Sequence, residues 1–213
     1  MRSAFLIGAA GRLGEAVLNR LLAEPQYSEV HVATKAPIEM GIRQLSGAAV
    51  GHWPRADDAY LVIHQPDEAF ASSYFGRHDA FSTIEYAGLE SVAPTLERLG
   101  IKRICILAPL SAFQQMSGVA ATILGEGEMA FYRARFESIH IVRPTPLSEP
   151  SRGKTFMQRL LNAYMSLNRF AMPKAFEPIR SIQVADIAVT DLVVAQPGLS
   201  ILTADKLRQK LFP

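Results

Sequence analysis

The chain carries one cysteine, Cys105, in 213 residues. A lone thiol cannot close an intramolecular disulfide, so a disulfide-built fold is excluded and a cytoplasmic setting is expected. Charge of one sign is also scarce. The formal net charge is +2, and Lys and Arg are scattered rather than gathered into runs. That leaves no basic footprint for nucleic acid or an anionic membrane. No apolar stretch approaches the roughly 18 residues of a membrane-spanning helix. Met1-Arg2-Ser3 leads straight into an apolar strand that a glycine soon interrupts. A signal peptide would need a longer apolar core and a small-residue cleavage site. Of the histidines, His31, His52, His78 and His140 show no metal-ligand spacing, so no metal site is expected. Repeats and low-complexity tracts are absent as well. What is present is ordinary for a globular protein, with 49% hydrophobic and 20% charged residues.

The order of apolar segments points to a doubly wound α/β protein with a parallel sheet and helices on both faces. Ala4-Phe5-Leu6-Ile7, bounded by Gly8, reads as a buried parallel strand. Leu13, Val17 and Leu21 then form an i, i+4, i+8 stripe, so Gly11 to about Ala23 reads as a helix that Pro25 ends. Val30 to Thr34 is the second strand, which completes a βαβ unit. Further strands are expected at Ala59 to Ile63, Ile104 to Leu107 and Ile139 to Val142. Helices are expected at Tyr86 to Leu99, with a kink or restart at Pro94, and at about Ala120 to Arg135. A weak third strand near Ala48 to Val50 leaves only Gly51 to Asp58 before the next strand. A parallel crossover usually takes a dozen residues or more. Either the third strand starts earlier or its crossover helix is lost. Residues 1–213 read as one domain. From about 151 to 213 comes a small C-terminal lobe against the same sheet, with a Met- and Leu-rich helix at Thr155 to Leu167, a loop with Pro173 and Pro178, then the segment Ile182 to Val194.

The segment that carries chemistry is Gly8-x-x-Gly11-x-x-Gly14. In a Rossmann turn the first glycine permits the tight exit from the strand. The second lets backbone approach a pyrophosphate, and the third allows close helix–strand packing. Arg12 and Leu13 lie within the loop, and the N–H groups opening the helix suit the phosphates. The motif follows a predicted strand, opens a helix and begins a βαβ unit, which is the context it requires. A glycine-rich turn that binds nothing is the alternative. At the end of the second strand an acid accepts the ribose hydroxyls of NAD, whereas a base suits the 2′-phosphate of NADP. This chain has Thr34-Lys35 there, with Arg12 within reach, so NADP is expected over NAD. Solvated surface charge is the other reading of Lys35 and Arg12.

The glycine spacing resembles that of the extended and atypical short-chain dehydrogenase/reductases. Leu99-Gly100-Ile101-Lys102-Arg103 before an apolar strand is similar to a passage of that superfamily. Arg143-Pro144-Thr145-Pro146-Leu147 resembles its Arg-Pro turn beside the nicotinamide, and Val184-Ala185-Asp186-Ile187-Ala188 its late Val-x-Asp-Val-Ala element. The nearest branch in this resemblance is the small proteins related to the oxidoreductase-like Tat-interacting tumour suppressor. It implies an NAD(P)-binding Rossmann domain with Ala108, Arg143 and Pro144 added to the cofactor set.

The departures are as informative. The superfamily passes a proton through a Tyr-x-x-x-Lys pair, whose lysine lowers the phenol pKa. None of the six tyrosines here has lysine at the fourth following position. Aligning Gly125-Glu126 with the superfamily's Gly-Glu places Ala120 and Leu124 at the catalytic positions. Ala108-Pro109 replaces the helper serine, with Ser111 displaced, and the loop after the fourth strand reads His64-Gln65-Pro66-Asp67-Glu68. His64, at a strand's carboxyl end, is a candidate for both cofactor contact and proton transfer; an ordinary loop histidine is the plainer reading. Tyr132 is a second candidate acid, against packing behind Met129-Ala130-Phe131. Two functions are therefore expected to compete. One is a non-catalytic NADP(H)-binding protein with a redox-sensing or regulatory role. The other is an oxidoreductase that acts on a small carbonyl substrate through substitute residues. A small-molecule substrate or a protein partner fits either, and loss of the cofactor itself is a third possibility.

Overall fold

The computed structural model describes residues 1–36, 44–49, 51–64, 80–110, 122–145 and 179–211. Seven strands, β1 (Arg2–Ile7), β2 (Tyr27–Thr34), β3 (Leu45–Ala49), β4 (Asp58–Val62), β5 (Arg103–Leu107), β6 (Ser138–Arg143) and β7 (Gly198–Thr203), form one sheet in the order β3-β2-β1-β4-β5-β6-β7. Every neighbouring pair is parallel. The central strands are apolar on both faces, with Ala4, Phe5, Leu6, Leu61, Ile104 and Ile106 all at 0% exposure, because helices cover both sides.

Helices α1 (Gly11–Leu22) and α4 (Ser181–Val193) pack on one face with α5 (Ala204–Leu211). Helices α2 (Leu89–Arg98) and α3 (Glu126–Arg133) pack on the other. Leu13, Val17 and Leu21 of α1 bury against the core as their spacing predicts. Arg20, in its last turn, bonds to Asp186 at 2.7 Å and pairs with Glu24 at 2.9 Å, tying α1 to α4.

Several expectations change in detail. The third strand does begin earlier, at Leu45, and residues 51–57 form no helix. Trp53 takes the place of a crossover helix, its ring 5.3 Å from that of Phe5 on β1. Pro94 does not break its helix: α2 runs through it, and the break falls earlier, where a 3₁₀ turn at Tyr86–Gly88 meets Leu89. The helix expected from Ala120 begins only at Glu126, after the extended backbone of Gly125. Gly127 is required there, since a Cβ would lie 2.8 Å from that of Leu89. After α4, β7 adds a seventh strand to the main sheet, and α5 follows it. The helix expected at 155–167 lies outside the described residues.

The amino edge of the sheet is closed by a buried polar network. Asp58, at 0% exposure, accepts hydrogen bonds from Tyr27 Oη at 2.6 Å and from Arg103 Nε at 2.6 Å. Tyr60 Oη lies 2.8 Å from Tyr27 Oη. Arg103 and Arg2 both donate to the carbonyl of Val193, at 3.2 and 3.0 Å. Two cations thus meet the negative end of α4, and the half-buried Arg103 guanidinium keeps the buried Asp58 carboxylate paired.

Candidate functional site

Gly8 leaves β1 with φ of +88°, a conformation that side chains rarely adopt. A Cβ on it would sit 2.1 Å from the carbonyl oxygen of Val62 on β4. A Cβ on Gly14 would sit 2.1 Å from Gly8 O, so α1 descends directly onto the turn. Gly11 has φ of +82°, so the turn itself needs glycine at all three positions. That corrects the narrower role of Gly11 as an approach path only. Ala10, the residue before α1, makes no side-chain hydrogen bond to the helix start. Strand order reverses between β1 and β4, and the turn lies at that point, where open α/β sheets bind ligands.

The other expected site residues fall in a row along the same carboxyl edge. Thr34-Lys35 ends β2, Gly8 ends β1, His64 follows β4, Ala108 follows β5, and Arg143-Pro144 ends β6. Four inter-strand gaps of about 4.8 Å put the ends of this row roughly 19 Å apart. Ala108 is buried and donates to Val142 O at 2.9 Å, while Leu110 N–H donates to Pro144 O at 3.2 Å. Lys35 is exposed and Arg12 half-buried. Leu13 faces the core at 2% exposure, so only its backbone serves the loop. His64 is half-buried, with its N–H donating to Ile84 O at 2.8 Å.

Arg143 is paired with the start of α3. Its Nη2 donates to Glu128 at 2.5 Å and to Ile123 O at 2.8 Å, and both side chains of the pair are buried. Glu128 also accepts the Gly125 N–H at 2.9 Å. Tyr86 hydrogen-bonds the same carboxylate, and burial, then Glu128, raises its phenol pKa. Glu128 was not singled out in the sequence, although it lies three residues after Gly125, the spacing by which a carboxylate caps a helix start. Leu124 packs with the apolar side chains of the α2–α3 face. Ala120, Ser111 and residues 65–68 lie outside the described residues.

Tyr132 is not packed behind Phe131, as its apolar neighbours suggested. It is 56% exposed, while Phe131 is fully buried. Six residues along α3 from Glu126, it lies about 9 Å down the helix, away from the carboxyl edge. Cys105 is fully buried, and burial raises its thiol pKa, in keeping with a small packed hydrophobe.

Orphaned buried polar atoms gather at this edge. Thr34 Oγ1, Ser82 Oγ, Thr145 Oγ1 and Ser181 Oγ have no hydrogen-bond partner; Trp53 Nε1 and His140 Nδ1 are similar cases elsewhere. Such atoms are uncommon in folded proteins and ask for an explanation. A polar ligand along the edge supplies one. Among the described residues there is no cluster of three or more metal-ligating side chains, and no helix long and apolar enough to cross a membrane.

The parallel sheet, its reversal of strand order and the glycine turn define a doubly wound α/β protein of the Rossmann type. No protein-family model matches the chain, and no curated protein does. Solved structures do. The chain is similar to a candidate epimerase from Bacteroides thetaiotaomicron, at 13% identity and a TM-score of 0.50, with 92% of each chain covered. It is also similar to a short chain dehydrogenase family protein from Francisella tularensis subsp. tularensis SCHU S4, at 10% identity and a TM-score of 0.51, covering 98% of this chain and all of that one. A candidate exported protein from Burkholderia pseudomallei has 12% identity and a TM-score of 0.51, with 91% and 94% of the two chains covered. The likeness is one of fold: the chain has the Rossmann architecture found in a short-chain dehydrogenase family protein.

Proposed function

We propose that the protein binds a nicotinamide dinucleotide along the carboxyl edge, NADP(H) in preference to NAD(H). In this reading it is a redox-sensing or regulatory protein of the atypical short-chain dehydrogenase/reductase type. The observation that carries the reading is the glycine turn, where Gly8 abuts Val62 and Gly14 abuts Gly8 so closely that neither tolerates a Cβ. Backbone N–H groups of the turn and of α1 would hold the pyrophosphate. Thr34 would meet the adenosine ribose, with Lys35 and Arg12 facing its 2′-phosphate. Ala108 and Pro144 would flank the nicotinamide, and the bound group would supply hydride.

The protein's own residues favour binding without turnover. Hydride transfer to a carbonyl develops alkoxide charge, which needs a proton donor or fixed dipoles. Leu124 is committed to apolar packing. The phenol of Tyr86 is held by a carboxylate and pushed upward, the reverse of what a neighbouring lysine does. Loss of a general acid typically removes roughly 10²–10⁴-fold in rate. An oxidoreductase working through His64, at the end of β4, is the second reading.

Fluorescence titration with NADPH and NADH tests the binding, with NADPH expected to bind more tightly. NADPH consumption across aldehydes, ketones and quinones tests the chemistry. Sustained turnover of about 1 s⁻¹ or more, within the usual enzyme range, would transfer the conclusion to the oxidoreductase.

A further inference from the structure

We infer that Phe81 sets the dinucleotide affinity of this site, because Ala80–Ser82 forms a strap across the end of β2 that the adenosine half of a dinucleotide must displace. The inference rests on the dinucleotide-binding reading and deepens it. Lys35 N–H donates to Ala80 O and Ser82 N–H donates to Ala33 O, each at 2.9 Å. Phe81 therefore lies directly opposite Thr34 in an antiparallel bridge. Its ring is 3% exposed and belongs to the same apolar cluster as Ala9, Ala10 and Leu13 of the glycine turn. The end of the second strand is where this fold receives the adenosine ribose. A buried aromatic ring and a ribose cannot share that place.

The closed strap also carries the marks of a state that can be exchanged. Among the described residues it is held by the two backbone hydrogen bonds of one isolated bridge, not by a ladder. Closing it leaves Thr34 Oγ1 and Ser82 Oγ buried without partners. Opening removes that cost for both hydroxyls and releases Thr34 Oγ1 for the ribose. Two residues on, Ile84 bridges Ile63 and accepts the His64 N–H at 2.8 Å, which gives the strap a fixed root on β4. A site competent only when open binds with an affinity reduced by its open fraction. Dinucleotide binding is thus weaker than the glycine turn alone would allow, and whatever loosens the strap strengthens it.

The test is a crosslink. The bonds flanking the pair make Thr34 and Phe81 a non-hydrogen-bonded antiparallel pair, with Cα atoms about 4.5 Å apart, within the range a disulfide spans. Cys105 is buried and does not compete. In the Thr34→Cys, Phe81→Cys protein, whose reduced form binds NADPH more weakly for want of the Thr34 hydroxyl and is its own reference, mild oxidation should abolish the remaining binding by fluorescence titration, and reductant should bring it back to the reduced level. Ser82→Pro, which removes one strap donor and keeps Phe81, should bind NADPH roughly tenfold more tightly than the unaltered protein if the strap is closed about nine-tenths of the time. Oxidised protein that binds NADPH within threefold of the reduced form would overturn the strap and leave the dinucleotide reading standing. So would two thiols that fail to crosslink. Absence of NADPH and NADH binding in the unaltered, reduced double-cysteine and Ser82→Pro proteins, all with native circular dichroism, would overturn the dinucleotide reading itself.

Discussion

Replacing Glu128 by alanine tests whether Arg143 is a structural cation or one that faces a ligand. Glu128 is buried in the first turn of α3, and Arg143, buried at the end of β6, donates to it at 2.5 Å. The variant leaves a desolvated guanidinium without its carboxylate and the Gly125 N–H without an acceptor. Breaking a buried pair from one side costs roughly 3–5 kcal/mol, against a whole-domain stability of about 5–15 kcal/mol. With a urea slope near 2 kcal/mol/M, the unfolding midpoint should fall by roughly 1.5–2.5 M. Glu128→Gln keeps the shape and one acceptor, so its loss should be smaller, about 1.5–3 kcal/mol. Joining Glu128→Leu to Arg143→Met should recover much of the deficit, because no charge is then left unpaired. Equilibrium urea unfolding of these proteins, together with Glu128→Leu and Arg143→Met alone, closes the cycle. If Glu128→Ala costs less than about 1 kcal/mol, the guanidinium does not depend on Glu128. Arg143 would then return to the cofactor side of the site.

Gly14→Ala places a Cβ 2.1 Å from Gly8 O, so NADPH binding should be lost together with a clear drop in melting temperature; a normal titration would remove the turn from the site. Lys35→Ala combined with Arg12→Ala should weaken NADPH binding about ten- to a hundredfold while NADH affinity stays nearly constant. Equal binding of both nucleotides by the unaltered protein would end that assignment. His140 should make the protein acid-sensitive. Burial lowers its pKa, Asp191 opposes the shift, and Lys210 and Arg103 reinforce it. The folded state therefore prefers the neutral ring, and stability is lost as pH falls from the unfolded value near 6.5 towards the lower folded one. His140→Gln should show a shallower fall in urea midpoint between about pH 7.5 and 5.5; an unchanged slope would refute the contribution.

What the residues alone revealed was local. Apolar runs such as Phe5-Leu6-Ile7 and Ile104-Cys105-Ile106 mark central strands because both faces must be dry. The stripe of α1 is legible for the same reason. β3 is faint because Leu45-Ser46-Gly47-Ala48-Ala49 sits at the edge of the sheet, where fewer neighbours demand bulk. Gly8 and Gly14 were readable as a turn, but the reason for them, the carbonyl of Val62 and the backbone of Gly8, is tertiary. Phe81 and Glu128 left little trace in the pattern. Each acts through a partner far along the chain, Thr34 for one and Arg143 for the other, and no local period records such a pairing. Tyr132 shows the converse, since adjacency to an apolar run does not decide which way a helical side chain points.

The hydrogen-bonded rivet of Tyr27, Tyr60, Asp58 and Arg103 has a consequence for how this protein tolerates change. It fastens β2, β4 and β5 to the tail of α4 at the edge opposite the glycine turn. Cohesion is concentrated at one rim, and the unsatisfied hydroxyls at the other. A substitution such as Tyr27→Phe should register in melting and scarcely in ligand affinity, while one at Thr34 should do the reverse. Such a division of labour lets the carboxyl rim be rebuilt, residue by residue, without the scaffold coming apart beneath it.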